Sequence, residues 1–193
     1  MAYIQTISET DATGELAEIY SGITRNRGKI AEVHSIQSLN PPTIPAHMEL
    51  YRTVMFAHSP LSRAEREMMA VVVSVANGCD YCIAHHRAAL LHFWKDPARC
   101  DVLEKQARSG AFDDPHLGLS PREVRMCRFA RQVTNDPAAG EDGSVVAELA
   151  LTDREALDAT LVVGYFNFVN RIVLTLGVQI ESDPSGYRYD GES

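Results

Sequence analysis

Four residues in one stretch have the types and spacing for thiol redox chemistry: Glu67, Cys79, Cys82 and His86, the last three within Asn77-Gly78-Cys79-Asp80-Tyr81-Cys82-Ile83-Ala84-His85-His86. On a helix starting at the first cysteine, Cys79 and Cys82 are i, i+3 and Cys82 and His86 are i, i+4. All three then share a face, and His85 turns off it. The free amides and macrodipole of a helix start favour a thiolate over a thiol, and a nearby imidazolium favours it further. The set therefore offers an activated nucleophile, a second thiol to trap its oxidised form, and a His and Glu to move protons. Attack on a peroxide would give a sulfenic acid, and condensation with the partner thiol a disulfide and water.

Glu67 can join this group only if the chain reverses. It lies twelve residues before Cys79, about 18 Å on one continuous helix and beyond side-chain reach. Asn77-Gly78 is a natural breaker, because glycine adopts positive φ freely. An antiparallel return after it sets Glu67 near His86, so Glu67, His86 and Cys82 form a line for proton transfer.

The rest of the chain reads as helices. Ser62-Arg63-Ala64-Glu65, Ser120-Pro121-Arg122-Glu123 and Thr152-Asp153-Arg154-Glu155 each have the form of a capping box, in which hydroxyl and carboxylate satisfy two orphan amides reciprocally. Each follows a leucine (Leu61, Leu119, Leu151), the trace of a weakly repeated helical unit. Leu16, Ile19, Tyr20 and Ile23 form an amphipathic stripe ended near Gly28. Short helices are predicted from about Ile30 to Leu39, stopped by Asn40-Pro41-Pro42, and from near Pro45 through Met55. Asp96-Pro97 opens another toward Gly110, and the last runs from Thr152 to Gly177. Val71-Val72-Val73 is β-branched but lies in a capped helical pattern, and no segment reads as a strand. Asn135 to Ser144 reads as a loop. One all-α domain over residues 1–182, followed by a polar tail over 183–193, is the predicted organisation.

Composition narrows the function classes. The 193 residues carry 18 Lys plus Arg against 26 Asp plus Glu, a net charge of -8, which argues against nucleic-acid and anionic-membrane surfaces. Hydrophobic residues at 45% and charged residues at 23% are ordinary globular usage. The uncharged stretch Met68–Ala76 falls far short of the roughly 20 apolar residues of a membrane helix, and the polar N-terminus lacks the blocks of a signal peptide. A soluble, cytoplasmic protein is expected. Four cysteines are too few and scattered for a disulfide-stapled scaffold.

The spacing Glu67-x11-Cys79-x-x-Cys82-x3-His86 resembles the active-site signature of the AhpD-like alkylhydroperoxidases, within the carboxymuconolactone decarboxylase superfamily. The resemblance is strongest from about Leu61 to Phe93. The N-terminal helix and Tyr165-Phe166-Asn167-Phe168-Val169-Asn170-Arg171 are similar to the subgroup called peroxidase-related proteins. The resemblance implies an all-helical fold with the CxxC at the N-terminus of a helix after an antiparallel break. It implies that Cys82 is the peroxidatic cysteine, Cys79 its resolving partner, and Glu67 and His86 the proton relay. It further implies a hydroperoxide substrate, no bound organic cofactor, a homo-oligomer, and an external dithiol reductant, either lipoyl-bearing or thioredoxin-like. In one departure, Tyr81 stands where the best-known members carry a histidine, and tyrosine is a poor base at neutral pH.

Other readings stay beside this one. The cysteine pair could serve a general dithiol-disulfide oxidoreductase. It could also bind zinc in a structural or interaction protein, with His86 and either His85 or His92 completing the ligands. A lactone decarboxylase would not require the CxxC. Glu65 reads as a capping residue only. His34, His47, His58, His92 and His116 read as surface or satisfied core histidines, and Cys100 and Cys127 as small core hydrophobes. Met55, Met68 and Met69 read as packing. Asn167, Asn170 and Arg171 in an apolar helix fit inter-helix or subunit hydrogen bonds as well as a ligand.

Overall fold

Helix starts are set where the sequence places hydroxyls before Glu. In the computed structural model, which describes residues 2–181, both halves of the capping box form at Ser62, Ser120 and Thr152. The helices are α1 (Gly14–Arg27), α2 (Glu32–Ser35), α3 (Thr43–Phe56), α4 (Arg63–Asn77), α5 (Asp80–Trp94), α6 (Pro97–Ser109), α7 (Pro121–Asn135), α8 (Ser144–Leu149) and α9 (Asp153–Leu176), and the boxes begin α4, α7 and α9. A 3-10 turn spans Pro115–Leu117. Among the described residues there is no strand. The tail expected over 183–193 lies outside the described residues.

The three boxed helices α4, α7 and α9 pack together with their starting ends at one pole. Arg122 joins them there, donating through Nε to Glu65 at 2.6 Å and pairing through Nη1 with Glu155 at 2.9 Å. Glu65 is thus more than a cap. Its other oxygen accepts from the Ser62 amide at 2.7 Å while the first holds α7.

Helix α4 is the axis of the fold, with every residue from Arg66 to Val75 buried and α5, α6, α7 and α9 packed around it. The β-branched run Val71-Val72-Val73 is helical because each of its side chains is fully buried in the main hydrophobic cluster. Tertiary packing outweighs a propensity difference of a few tenths of a kcal/mol per residue. A second, smaller cluster, Leu16, Tyr20, Ile23 and Ile44, belongs to α1 and α3.

Three boundaries differ from the sequence reading. The second helix is only Glu32–Ser35, and the chain continues as a succession of turns bonded three residues apart, such as Asn40 N–H to Gln37 C=O. The third begins at Thr43, two residues before Pro45, because proline is tolerated in the first helical turn, where its missing amide has no partner to lose. Helix α8 follows the Asp/Pro/Gly loop and was not anticipated.

The apolar stretch nearest to a membrane span is not Met68–Ala76 but α9, 24 residues long with mean hydropathy 1.4 in its best window. One face of α9, including Ala159, Val163, Phe166 and Val173, is buried against the helices of the main cluster. Leu157, Leu161 and Phe168 are exposed on it.

Candidate active site

The break predicted at Asn77-Gly78 is present. Gly78 ends α4 at φ 68° and its amide donates to the Ser74 and Val75 carbonyls, so the chain reverses within two residues. Cys79 is the N-cap of α5. The reversal brings Glu67 on α4 to His86 on α5, with His86 Nδ1 and Glu67 Oε2 at 2.7 Å.

Glu67 is fully buried. Its other oxygen accepts from Arg63 Nε at 2.9 Å and Nη2 at 2.6 Å. Burial pushes its pKa up, but the charges and hydrogen bonds of His86 and Arg63 outweigh that, and the net direction is down. Glu67 is therefore a carboxylate, and it can only accept. His86 Nδ1 must carry the hydrogen, which leaves Nε2 as the basic nitrogen. Arg63, one helical turn before Glu67, was read in the sequence only as part of a capping box; its i, i+4 spacing was the available signal.

Both thiols are buried and free, Cys79 at 0% and Cys82 at 2% exposure. Each bears on the ionisation of the other. The bond from Cys82, with those of the Cys82 and Tyr81 amides, draws the Cys79 pKa down against the cost of burial. Cys82 is driven well up by the bond to Cys79, by burial and by the Cys79 charge; a hydrogen bond with Asn170 opposes this.

The Asn170 side chain, fully buried, is the centre of a polar link between α4, α5 and α9. It accepts from Asn77 Nδ2 at 2.9 Å and donates to Ser74 Oγ at 3.3 Å. Asn167 also accepts from Asn77, at 3.1 Å. Asn167 and Asn170 thus make inter-helix bonds, whereas Arg171 turns back on Asn167 of its own helix.

A cavity of about 810 Å³ opens beside Cys82, with α1, α2 and α3 as its roof; Arg27, His34, Tyr51, His86 and Tyr165 are among its walls. The Tyr51 ring stands edge-on to His86 with centroids 6.4 Å apart and is tilted on Tyr165 at 5.7 Å. Phe166 meets His86 edge-on at 4.4 Å. Arg27 lies over Tyr51, 5.5 Å from the ring centroid.

Tyr81 is engaged at Glu181 and Val33. Its hydroxyl donates to Glu181 at 2.8 Å and stands 3.4 Å from the Val33 amide as acceptor. Glu181 also accepts from the Glu32 amide at 2.9 Å and meets His85 Nε2 at 2.8 Å. Although burial opposes it, these donors hold the Glu181 carboxyl down to about 2. Tyr81 and His85 thereby fasten the chain near its described C-terminal limit to the start of α2. His85 is committed there, and among the described residues no three His, Cys, Asp or Glu side chains are grouped to hold a metal ion.

The remaining candidates sort by burial. His58, His92 and His116 are exposed. His47 is buried and bonded on both nitrogens. His34 departs from expectation: buried, it has an Nδ1 with no partner, and burial lowers its pKa to about 3. Cys100 and Cys127 are buried with raised pKa values, chiefly from burial, which keeps them as thiols. Met55, Met68 and Met69 are fully buried in the core.

The model of the carboxymuconolactone decarboxylase family matches residues 42–115, which include all four site residues. No curated protein matches the sequence. A peroxidase-related protein from Ralstonia eutropha JMP134, described as an alkylhydroperoxidase AhpD core, superposes with a TM-score of 0.76 at 22% identity, over 95% of this chain and 94% of that one. A peroxidase-related protein from Silicibacter sp. TM1040 gives 0.71 at 26% identity, over 92% of each chain. The debrominase Bmp8 in complex with 2,3,4-tribromopyrrole gives 0.72 at 20% identity, over 94% of this chain and 93% of that one.

Proposed function

We propose that this chain, whose residues 42–115 match the carboxymuconolactone decarboxylase family and whose fold is that of the AhpD-like peroxidase-related proteins, is a thiol-dependent peroxidase reducing hydroperoxides through a Cys79/Cys82 dithiol-disulfide cycle. The observation that carries the reading is the Glu67–His86 hydrogen bond at 2.7 Å on the helix pair that carries the free thiols Cys79 and Cys82, with His86 and Cys82 lining one cavity.

In the proposed cycle the proton that Cys79 loses goes to the relay, where Glu67 stabilises the imidazolium of His86. Cys82 then passes its proton to the Cys79 thiolate and becomes the nucleophile on the cavity side. Its sulfur attacks the terminal oxygen of ROOH; the S–O bond forms, the O–O bond breaks, and the alkoxide leaves as ROH with the His86 proton. Cys79 displaces hydroxide from the sulfenic acid, its own proton leaves with that hydroxide as water, and a disulfide remains. Cys82 is thus peroxidatic by access, and Cys79 is both its proton acceptor and its resolving thiol.

Burial of both sulfurs bears on the partners. A folded protein disulfide does not reach a thiol at 0% or 2% exposure, which disfavours general disulfide exchange. The same burial favours a slender lipoyl arm over a thioredoxin-like surface as the reductant. The exposed Leu157, Leu161 and Phe168 of α9 offer an apolar face for a homo-oligomer.

A second reading, reductive dehalogenation, is favoured by the likeness to the debrominase and by the aromatic walls of the cavity. One assay separates the two. Reduced protein is mixed with an organic hydroperoxide or a halogenated aromatic, quenched with an alkylating agent, and mapped for cysteine state. The proposal expects rapid Cys79–Cys82 disulfide with hydroperoxide only, none in Cys82→Ser, and a persistent Cys82 sulfenic acid in Cys79→Ser. Equal hydroperoxide consumption by wild type and Cys82→Ser refutes it.

A further inference from the structure

At the wall of the cavity, hydrogen bonds fix the direction in which the Tyr165 hydroxyl points. Gln37 Nε2 lies 2.7 Å from the Val33 carbonyl oxygen and 2.8 Å from His47 Nδ1. A carbonyl only accepts, so the atom facing it is the amide nitrogen, and its second hydrogen is directed at His47 Nδ1. His47 Nδ1 therefore accepts. Burial lowers the His47 pKa to about 4, so at neutral pH the ring has one hydrogen, and it must be on Nε2. Nε2 lies 2.8 Å from the Tyr165 hydroxyl and donates to it. The Tyr165 oxygen is thus occupied as an acceptor, and its own hydrogen has no protein acceptor among the described residues.

Tyr165 and Cys82 both line the cavity, and they are near enough for the Cys82 charge to bear on the phenol. Burial first, then the charges of Tyr51 and Cys82, drive the Tyr165 pKa well up, so the hydroxyl stays a donor at any physiological pH.

We propose that Tyr165 is a further catalytic residue, whose hydroxyl, oriented by Gln37 and His47, donates a hydrogen bond to the leaving oxygen of the hydroperoxide as Cys82 attacks. This rests on the peroxidase reading and adds a donor that the Glu67–His86 relay does not provide. When the S–O bond forms and the O–O bond breaks, the electron pair goes to the alkoxide oxygen. Tyr165 O–H stabilises that developing charge, and the net proton still comes from His86. A donor aimed at developing charge in a buried site is worth about 100-fold or more in rate. His47 and Gln37 are positioning residues.

The test is single-turnover oxidation of the reduced protein, read as Cys79–Cys82 disulfide after rapid quenching, with two oxidants. tert-Butyl hydroperoxide expels a basic alkoxide that needs a donor; peracetic acid expels a stable carboxylate that does not. Tyr165→Phe should slow the first about 100-fold and change the second by no more than about threefold, within the scatter of such substitutions. Should the stranded His47 N–H unfold that variant, Tyr165→Phe with His47→Leu removes both ends of the bond and serves for the same comparison. Unchanged rates with tert-butyl hydroperoxide overturn the role of Tyr165 while leaving the thiol cycle intact. Equal slowing with both oxidants also overturns it, since the effect then lies on the thiol or the packing. A wild type inert to both oxidants overturns the peroxidase reading and this proposal with it.

Discussion

The base of the molecule, α4, α5, α7 and α9, and the roof, α1 to α3, are built by different means. The base shares one large hydrophobic cluster, and its boxed helix starts are joined through Arg122. The roof has a cluster of four buried residues of its own at α1 and the start of α3, is keyed into the large cluster through the buried Ile36, Val54 and Met55, and is further tied down by polar contacts, among them His47 to Tyr165 and Glu181 to the Glu32 amide. The thiols and the Glu67–His86 pair sit on the base, where a small displacement is costly. The surfaces that would meet a substrate come largely from the roof. Rigidity is thus concentrated where distances decide the chemistry, and the less anchored part governs admission.

Paired truncations test this contrast most severely. Met69→Ala, in the base, should cost roughly 2–5 kcal/mol of global stability, and denaturant melts by different probes should shift together. Leu16→Ala, in the roof, should instead reduce amide-exchange protection in α1 while α4 and α9 keep theirs. Equal loss of protection in α1 and α4 from Leu16→Ala would merge the two regions into one cooperative unit.

Glu67→Gln sharpens the comparison inside the base. It should slow thiol attack about 100-fold and also alter acid stability. The Glu67 pKa is lowered in the fold from an ordinary 4.5, so its ion pairs stabilise fully above that value and the gain is lost as pH falls through the depressed one. The difference in unfolding free energy between wild type and variant should therefore be constant near neutrality and shrink below about pH 4.5. A gap that widens in acid would contradict the assignment of Glu67 as a buried carboxylate. The smallest effect is that of Ser62→Ala, about 1 kcal/mol, detectable as a uniform shift of the global melt because α4 belongs to the base.

What could be read in the sequence was local. The CxxC with its i+4 histidine, the Gly78 break and the capping boxes each depend on residues a few positions apart, and one reversal was enough to bring Glu67 to His86. The contacts that were missed are distant in sequence. His47 to Tyr165 spans 118 positions and Tyr81 to Glu181 spans 100, and neither has a periodicity that marks it. Arg122 was visible as a box residue, but only the convergence of three helix starts makes it a clamp. The opposed shifts of the two thiols also escaped the sequence. Cys79 is drawn down chiefly by Cys82 and Cys82 is driven up chiefly by Cys79, a coupling that no residue type announces.

The separate small core of α1 and α3 bears on how such a protein can change by descent. Ile19 and Met48 line the cavity and pack against that core, whereas Glu67, Cys79, Cys82 and His86 sit on α4 and at the N-terminal half of α5, outside it. New molecules can then be tried against an unaltered reactive centre, one mutation at a time.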